Sequence, residues 1–131
     1  MDYACLVGRE HTCEIVVSRG NTASAVGSGG VDVFATPSMI LLMEQAAREA
    51  VQPLLPDGHT TVGTRVEVSH LAATPLGERV RATARVVAVD GRKLVYEVEA
   101  RDEHTKVGEG RHERFVIDLG RFLAKLSQRS G

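Results

Sequence analysis

The sequence predicts an α+β domain in which a curved antiparallel sheet wraps one buried helix. Three observations lead there. Residues 36–50 are apolar around most of a helical circumference. From about Thr60 the hydrophobic period switches from 3.6 to two and stays there to Ile117. The four long stretches of that second region are joined by short turns, which only antiparallel neighbours can use. A helix apolar on nearly all sides needs cover on nearly all sides, and a sheet curled around it supplies that cover.

The elements follow in order. His11 to Ser18 alternates as a strand, with Cys13, Ile15 and Val17 on one face. Residues 19–30 are small and Gly/Ser-rich and read as a mobile loop. Within them Val26-Gly-Ser-Gly-Gly-Val31 lacks the Lys-Ser/Thr ending and the spacing of a nucleotide fingerprint. Thr36 is placed as the N-cap of the long helix, with Pro37 at its first position. Met39, Leu42, Met43, Ala46 and Ala50 share its main apolar face, and Pro53 ends it.

The first long strand carries Val62, Thr64, Val66, Val68 and His70 on one side. A turn at residues 73–77 leads to a second, with Val80, Ala82, Ala84, Val86 and Ala88 inward. Asp90-Gly91 marks a hairpin. Leu94, Tyr96, Val98 and Ala100 form the apolar face of the third strand, and residues 106–117 the fourth. Asp118 can cap a final helix whose Leu119, Phe122, Leu123 and Leu126 are expected to face inward. The order matches the hotdog fold. A helix on one face of a flatter sheet is the alternative.

Composition excludes several functions. The chain has 131 residues, expected to form one domain, residues 1–131. Sixteen basic residues against seventeen acidic ones leave a net charge of −1, without the basic footprint of a general nucleic-acid binder. Three Phe, two Tyr and no Trp cannot make a base-stacking array. No apolar run approaches the roughly 20 residues of a transmembrane helix, and no secretory signal opens the chain. Cys5 and Cys13 are too few for a disulfide framework, so reduced thiols and a cytoplasmic location are expected. Neither the cysteines nor His11, His59, His104 and His112 show metal-ligand spacing, so no metal is expected. Residues 61–131 hold thirteen basic and ten acidic side chains. That half either helps to hold an anionic ligand or presents solvated strand faces.

Two residues stand out as chemistry. Glu44 sits mid-helix between Met43 and Ala46, where a carboxylate must be paired, hydrogen-bonded or shifted in pKa. An i,i+4 pair with Arg48 is the simpler account. His70 lies in line with Val66 and Val68, facing the same core, as an acid/base partner or as a hydrogen-bonded core histidine. Thr36 stands at a helix N-terminus, where free N–H groups can stabilise an oxyanion. Gly108 and Gly110 alternate with His112 and Arg114 and allow close approach to a ligand or to the helix.

Three stretches carry a family resemblance: Val33-Phe-Ala-Thr-Pro-Ser-Met-Ile-Leu-Leu-Met-Glu44, Gly63-Thr-Arg-Val-Glu-Val-Ser-His-Leu-Ala-Ala-Thr-Pro-Leu-Gly77 and Gly108-Glu-Gly-Arg-His-Glu-Arg-Phe-Val-Ile-Asp118. Together, over about residues 5–128, the chain resembles the small hotdog thioesterases related to fluoroacetyl-CoA thioesterase. The resemblance implies a catalytic set of Thr36, Glu44 and His70. It implies that Gly63 lines the acyl site and that Arg114 helps to order it. Phe34, the one aromatic near the helix start, is placed with them as a substrate contact. The resemblance further implies a homodimer with sites near the subunit interface, no metal, and no bound cofactor, coenzyme A being a product.

The fluoroacetyl-specific enzyme has an aromatic lid in the loop before the helix. Here that loop reads Ser24-Ala-Val-Gly-Ser-Gly-Gly30. Hydrolysis of a small or medium acyl-CoA is therefore expected, rather than strict fluoroacetyl selectivity. A non-catalytic acyl-CoA binder of the same fold is the alternative. A dehydratase of this fold would carry an Asp with a His five residues on in a loop-helix motif, and no such pair is found.

Overall fold

The computed structural model describes residues 2–129. A 3-10 turn precedes β1 (Glu10–Val16), a short α1 (Ala23–Val26) and α2 (Thr36–Val51). Then come β2 (His59–His70), β3 (Arg79–Asp90), β4 (Lys93–Arg101), β5 (Lys106–Asp118) and α3 (Leu119–Arg129). The five strands form one antiparallel sheet in the order β1-β3-β4-β5-β2. Two short hairpins make β3-β4-β5 neighbours. β1 and β2 therefore take opposite edges, and α2, which lies between them in sequence, crosses the concave face. The sheet curls around α2 as half a barrel, the hotdog arrangement.

The core is the meeting of that helix with the inner faces of β3 and β4. Met39, Leu42, Met43, Ala46 and Ala47 are at most 2% exposed. They face Val80, Ala82, Ala84 and Val86 of β3 and Leu94, Tyr96 and Ala100 of β4, all fully buried. Each large apolar side chain sealed there contributes about 1.5–3 kcal/mol relative to exposure. The alanines on both layers let helix and sheet approach closely. Gly108 on β5 serves the same end, since a Cβ there would meet Met39 Sδ at 2.4 Å.

Five local expectations are revised. First, Ala35, not Thr36, is the N-cap of α2, so Thr36 is the first helical residue and Pro37 the second. Second, β2 carries a bulge: Gly63 pairs with Arg114 and Arg65 with Glu113, leaving Thr64 as the extra residue. The bulge reverses the alternation, so Thr61 and Gly63 share the inner face with Val66, Val68 and His70. Third, a similar shift between Val86 and Ala88 turns Ala88 outward and Val89 inward. Fourth, residues 19–30 are partly ordered. Thr22 is buried and caps α1 by accepting from the Ala25 N–H, and Gly27 ends α1 with φ at 79°. Fifth, α3 does not bury its apolar face: Leu119, Leu123 and Leu126 remain 44%, 53% and 45% exposed. Its amphipathic pattern is real, and Phe122 is partly buried, but among the described residues Leu119 and Leu123 lie open.

Candidate active site

Glu44 projects from the middle of α2 toward the junction of β2 and β5. Its partner is not Arg48. Glu44 Oε2 lies 3.5 Å from Arg114 Nη1 and 4.0 Å from His112 Nε2, both on β5. The register that pairs Gly63 with Arg114 puts a residue without a side chain beside the carboxylate. A Cβ at Gly63 would stand 2.7 Å from Glu44 Oε2 and 3.3 Å from the His112 ring. Gly63 is thus the opening in the sheet wall through which Glu44 reaches Arg114.

Arg114 is 6% exposed and all three of its guanidinium nitrogens are engaged. Nε donates to Thr61 Oγ1 at 2.8 Å, Nη2 to the Thr61 carbonyl at 3.0 Å, and Nη1 to His112 Nε2 at 3.2 Å as well as to Glu44. His112, 1% exposed, donates from Nδ1 to the Arg65 carbonyl at 2.8 Å and stacks on Tyr96 with ring centroids 5.9 Å apart. That bonding fixes its neutral Nδ1–H tautomer. Burial holds its pKa below the ordinary histidine value, and the Arg114 charge adds to the shift. A neutral His112 beneath a cationic Arg114 leaves Glu44 facing net positive charge.

Thr36 and His70 make a second cluster. Thr36 Oγ1 and His70 Nδ1 are 2.7 Å apart. Because Thr36 is not spent on capping, its hydroxyl is available for this bond. His70 is half-buried, and desolvation lowers its pKa. Its Nε2 is buried and has no hydrogen-bond partner among the described residues. One nitrogen is held by Thr36 and the other is free, the geometry of an oriented general base or acid. Of the first-turn backbone donors of α2, Pro37 has none and the Met39 N–H binds the Ala35 carbonyl. Thr36 and Ser38 supply the remainder.

The two clusters are not joined within one chain. Eight residues separate Thr36 from Glu44, roughly 12 Å along the helix axis. Phe34 joins neither: it is 1% exposed and packed in the core, with its N–H bound to the Thr74 carbonyl. His112 and Thr61 belong to the Glu44 cluster without having been singled out for it. The shared parity of His112 and Arg114 on β5 was a signal for the first. Thr61 was hidden by the β2 bulge.

A curled sheet around a helix that carries an inward carboxylate, with a Thr–His pair at that helix's start, defines the class as hotdog thioesterases. The family model described as "Fluoroacetyl-CoA-specific thioesterase" matches residues 17–119. The fluoroacetyl-CoA thioesterase of Streptantibioticus cattleyicolor is 44% identical over 99 residues, 76% of this chain and 71% of that protein. A solved structure of a fluoroacetyl-CoA thioesterase superposes with a TM-score of 0.87 at 39% identity, covering 93% of this chain and 95% of that one. A hot-dog-like protein from Thermanaerovibrio acidaminovorans superposes with a TM-score of 0.92 at 31% identity, covering 100% and 98%. The chain belongs to the fluoroacetyl-CoA-specific thioesterase family and is a thioester hydrolase.

Proposed function

We propose that the protein hydrolyses a small or medium acyl-CoA to the carboxylic acid and free coenzyme A, with Glu44, His70 and Thr36 as its catalytic groups. The observation that carries the reading is Glu44, held by a buried arginine and admitted by a glycine. A solved mutant of the family's fluoroacetyl-CoA thioesterase in complex with fluoroacetate and CoA supports an acyl-CoA substrate. It superposes with a TM-score of 0.83 at 38% identity, covering 88% of this chain and 98% of that one.

Glu44 attacks the thioester carbonyl or activates water for that attack. His70 accepts the proton of water through its free nitrogen, or delivers one to the leaving thiolate. Thr36 fixes the imidazole, and the first-turn amides of α2 stabilise the oxyanion. Arg114 and Gly63 order the carboxylate rather than contact the acyl group.

The active unit is a homodimer. β2 is an edge strand of twelve residues with one side unpaired, and Val66 and Leu71 stand exposed on or beside it. A two-fold partner adding its own β2 there runs antiparallel. That carries the His70 end of one strand toward the Gly63 end of the other. Glu44 of one subunit then meets Thr36 and His70 of its partner, which closes the gap left within one chain.

The direct test is turnover of acyl-CoAs of graded chain length, read by thiol release. Hydrolysis that falls by a factor on the order of 10²–10⁴ in Glu44→Ala and in His70→Ala supports the reading. Binding without turnover in the unmodified protein leaves an acyl-CoA binder instead. Turnover unchanged in both variants contradicts the assignment.

A further inference from the structure

We propose that His11, Cys13 and Glu49 form a binding site for a zinc-type divalent metal ion on the β1–α2 flank, separate from the thioesterase site. His11 and Cys13 are two apart on β1 and lie opposite Ala84 and Ala82 of β3, so both side chains point to the concave side. The residues next to Cys13 point the other way: Thr12 bonds Thr83 at 2.7 Å and Glu14 bonds Arg81 at 2.9 Å. Glu49 comes from α2, five residues beyond Glu44 and so about 140° further around the helix. It faces β1, whereas Glu44 faces β2 and β5.

The donor atoms already converge. Glu49 Oε2 is 2.9 Å from His11 Nε2 and 3.2 Å from Cys13 Sγ, and one donor atom from each residue lies within 4.8 Å of the others. Metal–ligand bonds of about 2.0–2.3 Å in a tetrahedral zinc centre imply ligand–ligand distances of roughly 3.3–3.8 Å. The two Glu49 distances therefore need adjustments of a few tenths of an ångström, and the third donor pair, His11 to Cys13, lies within 4.8 Å. One imidazole nitrogen, one sulfur and one carboxylate oxygen form a donor set suited to zinc or cobalt and poorly suited to calcium or magnesium.

Burial is graded in a useful way. Cys13 is partly buried against the core, which fixes the sulfur, while His11 and Glu49 are 45% and 48% exposed and leave a fourth position for water. Without metal the thiol keeps its proton and donates a hydrogen bond to Glu49 Oε2. On binding, the S–H bond breaks, the proton passes to solvent and the thiolate sulfur bonds the metal.

The experiment is titration of chelator-treated, full-length protein with Co²⁺, followed by absorbance. The proposal expects one equivalent per chain and a thiolate-to-cobalt charge-transfer band that Zn²⁺ abolishes. Cys5→Ser keeps the band and Cys13→Ser loses it, while Glu49→Gln and His11→Ala each weaken binding at least tenfold. If Cys13→Ser fails to fold by circular dichroism, the two exposed positions decide the matter. A band that persists in folded Cys13→Ser, affinities unchanged in Glu49→Gln and His11→Ala, or no saturable binding to the unmodified protein each overturns the proposal.

Discussion

The middle of α2 and its N-terminal end hold their functional side chains in different ways. Glu44 is set in a pre-built frame: Arg114 and His112 are buried behind it, and all three guanidinium nitrogens of Arg114 donate to it, to His112 or to Thr61. Thr36 and His70 have one hydrogen bond between them and a free nitrogen. A carboxylate that must keep one position benefits from a rigid surround, because each buried donor is costly to strand. A histidine that must pass a proton benefits from one fixed nitrogen and one open nitrogen. Substitutions in the frame should therefore register in stability as well as in rate, and substitutions at the Thr–His pair chiefly in rate.

The largest effect on stability is expected at Arg114. Arg114→Met strands the Thr61 carbonyl, His112 Nε2 and the Glu44 carboxylate, and should cost roughly 2–3 kcal/mol in urea denaturation along with most of the activity. A loss in activity alone would show that the frame is not a unit. Gly63→Ala sharpens the same contrast. Its Cβ meets the far end of the Glu44 side chain, so the carboxylate is pushed out of the frame while Arg114 and His112 keep their places, and stability should change by less than about 1 kcal/mol while kcat drops at least tenfold. Gly110→Ala is the control. Its Cβ would stand 2.1 Å from the Glu67 carbonyl, so the backbone itself must move and stability should suffer.

Acid should separate the two regions further. His70 and His112 both have folded pKa values below the ordinary value of 6.5. Above 6.5 both are neutral in either state. As pH falls below 6.5 the unfolded chain gains protons that the folded chain does not, so stability declines. Activity that needs neutral His70 should hold to a lower pH than that and then fall with an apparent pKa below 6.5. Stability profiles of His112→Gln and rate profiles of the unmodified protein check the two limbs. The smallest effect belongs to Tyr96→Phe. The Tyr96 hydroxyl is buried without a hydrogen-bond partner among the described residues, so its removal should be neutral or stabilising by up to about 1 kcal/mol in thermal unfolding.

Much of this was legible before the structure. The buried helix followed from Met39, Leu42, Met43 and Ala46, and β4 from the alternation of Leu94, Tyr96, Val98 and Ala100, because those periods directly record which side is covered. The bulges at Thr64 and Val87 were not legible, since a strand with one extra residue has the same composition as a regular one. The one at Thr64 decides that Thr61 and Gly63 face Arg114 and Glu44. The exposure of α3 was also hidden. Amphipathicity identifies an apolar face on Leu119 and Leu123 without saying whether the same chain covers it. The Glu44–Arg114 contact spans seventy residues and depends on the register of β2 with β5, which no local pattern carries. The same limit hid His11, Cys13 and Glu49, joined across a strand and a helix.

In the proposed homodimer, the carboxylate and the histidine that one chain keeps apart would meet across the subunit interface. Mixing Glu44→Ala and His70→Ala subunits after reversible dissociation tests that most directly. With composite sites, each mixed dimer regains one intact site. Random reassociation should then restore about a quarter of the unmodified acyl-CoA hydrolysis from two inactive proteins. A mixture that forms mixed dimers yet stays as inactive as its parents would contradict it.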